Sequence, residues 1–224
     1  MGKELIQYLS QYVTEKRMSL FRNVVKNRTN YLTVVLEDIY QSQNASAVLR
    51  SCDCFGIQNV HVVENRNDFE VDPNVAMGAS KWLTINHYNG GGNNTQKALH
   101  KLKSEGYRII ATSPHENDML LDDFDFENGK FALVFGTEMS GISEDVKQNA
   151  DAFLKIPMYG FTESFNLSVS AAIVLHHLSF KLKKSSVQWQ LSNDESDELI
   201  MKWLTNSIKG SEALVKYFND RNVI

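Results

Sequence analysis

One stretch constrains the fold before any other. YLTVVLED (31–38) is rich in β-branched residues and nearly unbroken in its apolar run, as a strand is when both its faces are covered. NASAVLRSCDCFG (44–56) follows with Ala47, Val48, Cys52 and Phe55 as an apolar stripe, Asn44 as a good N-cap and Gly56 as a good C-cap. IQNVHVVE (57–64) is then a second strand. Strand, helix, strand at this spacing is a β-α-β unit, and its parallel strands require helices on the sheet faces.

The pattern continues. TQKALHKLKSEG (95–106) reads as a helix closed by Gly106, YRIIATS (107–113) and FALVFG (131–136) as strands, and AFLKIPM (152–158) as a short strand. Residues 167–184 form a helix with Leu167, Ala171, Val174, Leu175, Leu178 and Leu182 on one face. Residues 65–94 read as loop, with Asp72-Pro73 and three consecutive glycines at 90–92. One or two helices precede the sheet over 4–27, and two polar-faced helices follow it over 192–220. The expected class is α/β: a mostly parallel sheet with helices on both faces, extended by helices at each end. The expected division is an N-terminal helical extension (1–28), a central domain (29–184) and a C-terminal helical extension (185–224).

Composition narrows the function. The chain has 224 residues and no apolar run long enough for a transmembrane helix. The start, MGKELIQYLSQYVTEKR, has no apolar core of a secretory signal. Cys52 and Cys54 are the two cysteines, and no second Cys/His pair accompanies them. The simplest reading is a cytoplasmic chain with packed thiols, no metal and no membrane. Net charge is −4, but Lys3, Lys16, Arg17, Arg22, Lys26 and Arg28 concentrate at the start, and Lys181, Lys183 and Lys184 near the end of the long helix. Binding a phosphate backbone needs a local patch, not a basic whole; the plainer reading of each cluster is a solvated helix face.

In parallel α/β sheets, ligands lie beyond the carboxyl ends of the strands. Three such loops carry unusual residues. EDIYQSQNASAVLR (37–50) brings Asn44 to a helix start and Arg50 to its second turn. Arg50 either pairs with Glu37 or Asp38, or holds a guanidinium at the ligand edge for a phosphate or an oxyanion. VFGTEMSGIS (134–143) is a glycine loop between strand and helix that lacks the Lys-Ser/Thr of a P-loop; Glu138 can face whatever it cradles. KIPMYGFTESFNLSVSAAIVLHHL (155–178) gathers Glu163, Ser164, Asn166 and Ser168 at a helix entrance where one cap suffices.

Together these resemble the three motifs of the SpoU class of SPOUT RNA 2′-O-methyltransferases. They stand here as Asn44-Ala47-Arg50, Gly136-Glu138-Gly141-Ile142, and Ile156-Pro157-Met158-Gly160-Ser164-Asn166-Ser168-Val169. Beyond the motifs, NRTNYLTVVLE, GASKW (78–82) and the helical tail from Asp194 resemble the TrmH branch most, whose members methylate guanosine 18 in the tRNA D-loop. Gln43, where members often carry histidine, and Phe165, where leucine is usual, are departures.

The resemblance implies a deep trefoil knot over about 131–184, S-adenosyl-L-methionine as donor, tRNA as substrate, and a homodimer that completes each active site across its interface. It implies Thr112, Gly136, Ile156 and Phe165 at the donor, and Arg50, with Asn44, Glu138, Ser164 and Asn166 as its partners, at the reacting ribose. Arg17, Arg28 and Lys81 match residues used on tRNA. Arginine stays protonated and makes a poor base, so Arg50 is expected to clamp the forming alkoxide. Alternatives are another tRNA position, ribosomal RNA, a small-molecule methyltransferase, or a non-catalytic RNA-binding protein; the intact polar set argues against the last.

Overall fold

A computed structural model describes residues 2–113 and 119–221. It divides into two compact units: residues 30–189, and a second formed jointly by residues 1–29 and 190–224. The two ends, expected as separate extensions, thus belong to one unit.

In the central unit the strands are β1 (Leu32–Glu37), β2 (Asn59–Val63), β3 (Thr84–Tyr88), β4 (Arg108–Thr112), β5 (Met119–Leu120), β6 (Phe131–Phe135) and β7 (Ala152–Lys155). They form one sheet in the order β3-β2-β1-β6-β4-β7-β5, with each pair parallel. All six residues of β1 and all five of β6 are buried, as expected of central strands covered on both sides.

Side-chain alternation sorts the core onto the two faces. Leu32, Val34, Leu36, Phe131, Leu133 and Phe135 pack on one side with helices α3 (Ser42–Phe55) and α7 (Leu167–Lys184). Val35, Ala132 and Val134 pack on the other with α5 (Asn94–Ser104) and α6 (Glu144–Asn149). Glu37 shares its parity with Val35, which directs a carboxylate toward the α5–α6 side. The apolar stripe of α7 is the expected one: Ala171, Val174, Leu175, Leu178 and Leu182 are buried.

Several expectations change. The 65–94 stretch holds a short helix, α4 (Pro73–Ala76), and the strand β3; Thr-Ile-Asn-His-Tyr has too little apolar alternation to announce itself, because β3 is a half-exposed edge strand. The two-residue β5 was also unforeseen. The helix after β1 starts at Ser42 with Gln41 as its N-cap, so Asn44 lies inside the first turn and does not cap it. Gly56 does close α3, at φ 82°. Cys52 is buried as expected, whereas Cys54 is exposed.

The terminal unit contains α1 (Gly2–Ser10), α2 (Glu15–Val25), α8 (Asn193–Ser207) and α9 (Ser211–Arg221). Thr14 caps α2, and Ser192 with Glu195 forms a reciprocal capping box on α8. Trp203 is its largest fully buried side chain, lying against Phe21 at 5.6 Å between ring centroids.

Candidate functional site

The carboxyl ends of β6, β4 and β7 are neighbours in the sheet, and a cleft of about 290 Å³ opens beyond them. Its walls come from the ends of these strands, the 136–142 loop, the 156–165 segment and the start of α7. All four donor-site residues named from sequence, Thr112, Gly136, Ile156 and Phe165, line it, as do Glu138 and Ser164.

The 136–142 loop is closed on itself. Thr137 and Gly141 exchange backbone hydrogen bonds of 2.9 and 3.1 Å, and the Ser140 N–H donates to Thr137 Oγ1 at 3.0 Å. Gly136 is required by packing: a Cβ there would lie 2.3 Å from the Gly141 carbonyl oxygen. Bare backbone therefore forms one wall of the cleft. Thr112 Oγ1 is occupied, donating to the Val134 carbonyl at 2.9 Å, so this residue offers the cleft backbone and methyl.

Three polar residues from three separate segments join beside the cleft. The Asn166 Nδ2–H donates to Asn44 Oδ1 at 3.1 Å. Asn44 Nδ2 in turn donates to Glu138 Oε1 at 2.9 Å and to Gln41 Oε1 at 3.0 Å. Asn166 is also the cap of α7, its Oδ1 accepting from the Ser168 and Val169 N–H groups. Both ends of each amide are thereby used, which fixes which way each points. Glu138 Oε2 additionally accepts from the Tyr40 N–H at 3.4 Å. The surplus polar residues at the entrance of α7 are thus accounted for in part: Asn166 caps and connects, while Ser164 faces the cleft.

Arg50 does not make the ion pair that sequence allowed. Glu37 is engaged by Thr95 and Ser143, and Asp38 accepts the backbone N–H groups of 65, 66 and 67. Arg50 is exposed on α3, outside the residues lining the cleft, with no hydrogen bond or ion pair among the described residues.

Of the expected RNA contacts, Arg17 and Lys81 are exposed. Arg28 is a correction: it is 2% exposed and its guanidinium lies 5.5 Å from the Trp203 ring centroid, a cation–π contact inside the terminal unit. Basic clustering in sequence could not separate it from its surface neighbours. The second basic cluster is largely spoken for, since Lys181 and Lys183 donate to the carbonyls of Asp122 and Phe55 and Lys184 sits over Phe180. Gln41, Tyr40 and Thr137 were missed from sequence, because their roles pass through backbone groups or a neighbour's amide and leave no motif of their own.

No group of His, Cys, Asp or Glu among the described residues is placed to hold a metal ion, and no helix among them is long and apolar enough to cross a membrane. The cleft suits a nucleoside with a polar tail. Phe135, Leu154, Ile156, Phe165 and Val174 give apolar wall for a flat base, and Glu138 and Ser164 offer oxygen atoms to a cationic or amino-acid moiety.

Comparison with known proteins agrees with this geometry. The SpoU rRNA Methylase family model matches residues 31–176. A Borreliella burgdorferi tRNA (guanosine(18)-2′-O)-methyltransferase is 41% identical over 96% of this chain and 96% of its own. The enzyme of that name from Thermus thermophilus is 32% identical over 72% of this chain and 81% of its own. The crystal structure of the Aquifex aeolicus TrmH/SpoU tRNA modifying enzyme superposes with a TM-score of 0.76 at 27% identity, covering 87% of this chain and 98% of that one.

Proposed function

The chain belongs to the SpoU methylase family, and from that premise we infer that it is a tRNA (guanosine-18-2′-O)-methyltransferase using S-adenosylmethionine. The observation that carries the site assignment is the Asn166–Asn44–Glu138 hydrogen-bonded chain, which ties the three motifs together at the mouth of the cleft.

The cleft residues would hold the donor: Gly136 and its loop by backbone, Ile156 and Phe165 by apolar contact, Thr112 from the strand end. When bound, S-adenosylmethionine supplies an electrophilic methyl on a sulfonium. Everything else falls to the chain. The acceptor ribose must be brought in line, and positioning of this kind supplies much of the rate. Asn44, Glu138, Ser164 and Asn166 orient the ribose and the donor. Arg50 supplies the fixed positive charge, held at the third turn of α3 and uncommitted among the described residues, that steadies the 2′-oxygen as it loses its proton. A permanently protonated guanidinium does not take that proton; it leaves through phosphate or water.

A homodimer completes this reading. Met139, Tyr159 and Phe161 are nearly or fully exposed beside the cleft, and Phe165 and Val169 are about half exposed. Such apolar surface around a polar site suits a second copy of the chain, which would also complete the surroundings of Arg50. We read residues 131–184 as a deep trefoil knot. The placing of β6 between β1 and β4, with β7 beyond β4, supports a chain that returns through its own loop, an arrangement otherwise nearly absent from folds. Arg17 and Lys81 are assigned to tRNA, with the terminal unit as an RNA-binding element, and the site of action is the cytoplasm.

The test is direct. Purified protein with labelled S-adenosylmethionine is incubated with unmodified tRNA transcript or with ribosomal RNA, and digestion with mass spectrometry locates the methyl. 2′-O-methylguanosine at position 18 is the expected product. Methyl in ribosomal RNA alone would retain the chemistry and overturn the substrate; no transfer to either RNA would overturn the activity.

A further inference from the structure

Glu37 is a buried carboxylate that the chemistry above does not use. It ends β1, is 2% exposed, and points to the sheet face opposite α3. There it receives three hydrogen bonds. Thr95 Oγ1 donates to Oε1 at 2.7 Å, Ser143 Oγ donates to Oε1 at 2.6 Å, and the Ser143 N–H donates to Oε2 at 3.0 Å. Two of the three come from one residue, 106 positions away in sequence.

Ser143 is the residue at which the cleft loop ends. It is the N-cap of α6, its Oγ accepting from the Val146 N–H at 3.3 Å. Its N–H, its hydroxyl proton and an oxygen lone pair are all committed. The next turn is also tied down: Asp145 accepts from Asn93 Nδ2 and Gln96 Nε2, each at 2.7 Å. At its other end the loop begins at Gly136, jammed against Gly141. The backbone wall of the cleft is therefore stretched between a steric stop and a carboxylate anchor.

We propose that Glu37 is a positioning residue for the donor site, setting the 136–143 wall through Ser143 without touching the ligand. Burying a carboxylate is costly unless its oxygens are hydrogen-bonded, and charge-assisted hydrogen bonds are short and strong. An acceptor-only group matches three donors. Glutamine in its place presents an N–H₂ to hydroxyl and amide protons, so at least one bond is lost and the foot of the loop is released. The consequence for donor affinity rests on the function inferred above; the anchoring itself does not.

Two readouts keep these apart. In the ligand-free protein, hydrogen exchange of the 137–143 amides reports the anchor. In Glu37→Gln these amides are expected to exchange faster than in the wild type, while strand β6 stays protected. Calorimetric titration with S-adenosylmethionine is expected to show roughly ten-fold weaker binding, the equivalent of one lost charge-assisted hydrogen bond, with KM for tRNA within two-fold. Ser143→Ala is expected to act in the same direction, and Ser143→Thr, which keeps the hydroxyl, to behave as wild type. Adding Ser143→Ala to Glu37→Gln is expected to cost less than the sum of the two, as for residues acting as one unit. If Glu37→Gln does not fold, the Ser143→Ala and Ser143→Thr pair decides alone. Unchanged exchange across 137–143 overturns the anchor. Faster exchange with unchanged donor affinity overturns its role in positioning. A wild type that binds no S-adenosylmethionine overturns the functional reading, and the exchange data still judge the anchor.

Discussion

The two loops that wall the cleft are built on opposite plans. The 136–143 loop is finished by its own chain: a self-paired backbone between Thr137 and Gly141, a glycine with no room for a Cβ, and an end pinned by Glu37. The 156–166 segment carries Tyr159 at 95% exposure and Phe161 fully exposed, and its side-chain hydrogen bonds gather at the Asn166 cap where it becomes helix. Preorganised backbone holds a ligand at low entropic cost. Exposed aromatic surface is expensive for a monomer and useful only when something covers it. The first loop is a finished wall; the second is left open in the single chain, and the proposed dimer would finish it.

The largest break expected in this contrast is Gly136→Ala. Its methyl would meet the Gly141 carbonyl oxygen at 2.3 Å and its carbon at 2.4 Å, and backbone cannot yield as a side chain can. The loop must move as a whole, and measurable donor binding in a calorimetric titration should disappear. A Gly136→Ala protein binding within about ten-fold of wild type would show that the loop is not the rigid wall described. Arg50→Ala should follow, with a fall of ~10²–10³ in single-turnover rate and unchanged donor affinity, because Arg50 lies outside the cleft lining. Near-wild-type turnover would remove Arg50 from the chemistry.

A smaller effect separates the frame from the site. His61 on β2 is buried, its Nδ1 2.9 Å from Tyr88 Oη. Burial, aided by Lys101, lowers its pKa from the usual 6.5 to about 4, while burial pushes Tyr88 up to about 12. Between these two histidine values the unfolded chain takes up a proton that the folded chain refuses. Stability is therefore complete above pH 6.5 and declines as pH falls toward 4, by about 3 kcal/mol in full. Thermal melts should show the decline, and His61→Phe should flatten it. A wild-type melting temperature that is constant from about pH 7 to about pH 5 would refute the buried neutral imidazole.

The contrast also marks what the sequence could disclose. β1 and β6 were legible because burial on both faces leaves an unbroken apolar run, and α7 because its stripe recurs from Leu167 to Leu182. β3 was not, since an edge strand needs no such run. Among the residues assigned to the site, those given side-chain roles stood out as types: Arg50, Glu138, Asn166. Asn44 was recognised as a member of the site, but its reading as a helix cap failed, because capping is a local property and two of its partners are 94 and 122 positions away. Glu37 was seen only as a possible counterion for Arg50; the alternation of β1 sends it to the other face, toward Thr95 and Ser143. Arg28 fails for the same reason. A one-dimensional charge cluster does not say which member faces Trp203. Long-range pairing, not residue identity, was the missing information.

The mildest test concerns the unfinished wall. Burying a phenylalanine side chain is worth about 1.5–3 kcal/mol, so Phe161→Ser should weaken a dimer through this surface by roughly ten-fold or more, with little effect on monomer folding because the ring is already exposed. Sedimentation velocity over a concentration series measures the shift. Donor binding per chain should survive better than RNA methylation, since the 136–143 wall is complete within one chain while the surroundings of Arg50 are what the proposed dimer would complete. A Phe161→Ser protein that dimerises as the wild type does would move the interface elsewhere. A wild type that stays monomeric at all concentrations would leave the aromatic lip to the RNA itself, whose unstacked bases are the other flat apolar surface able to cover it.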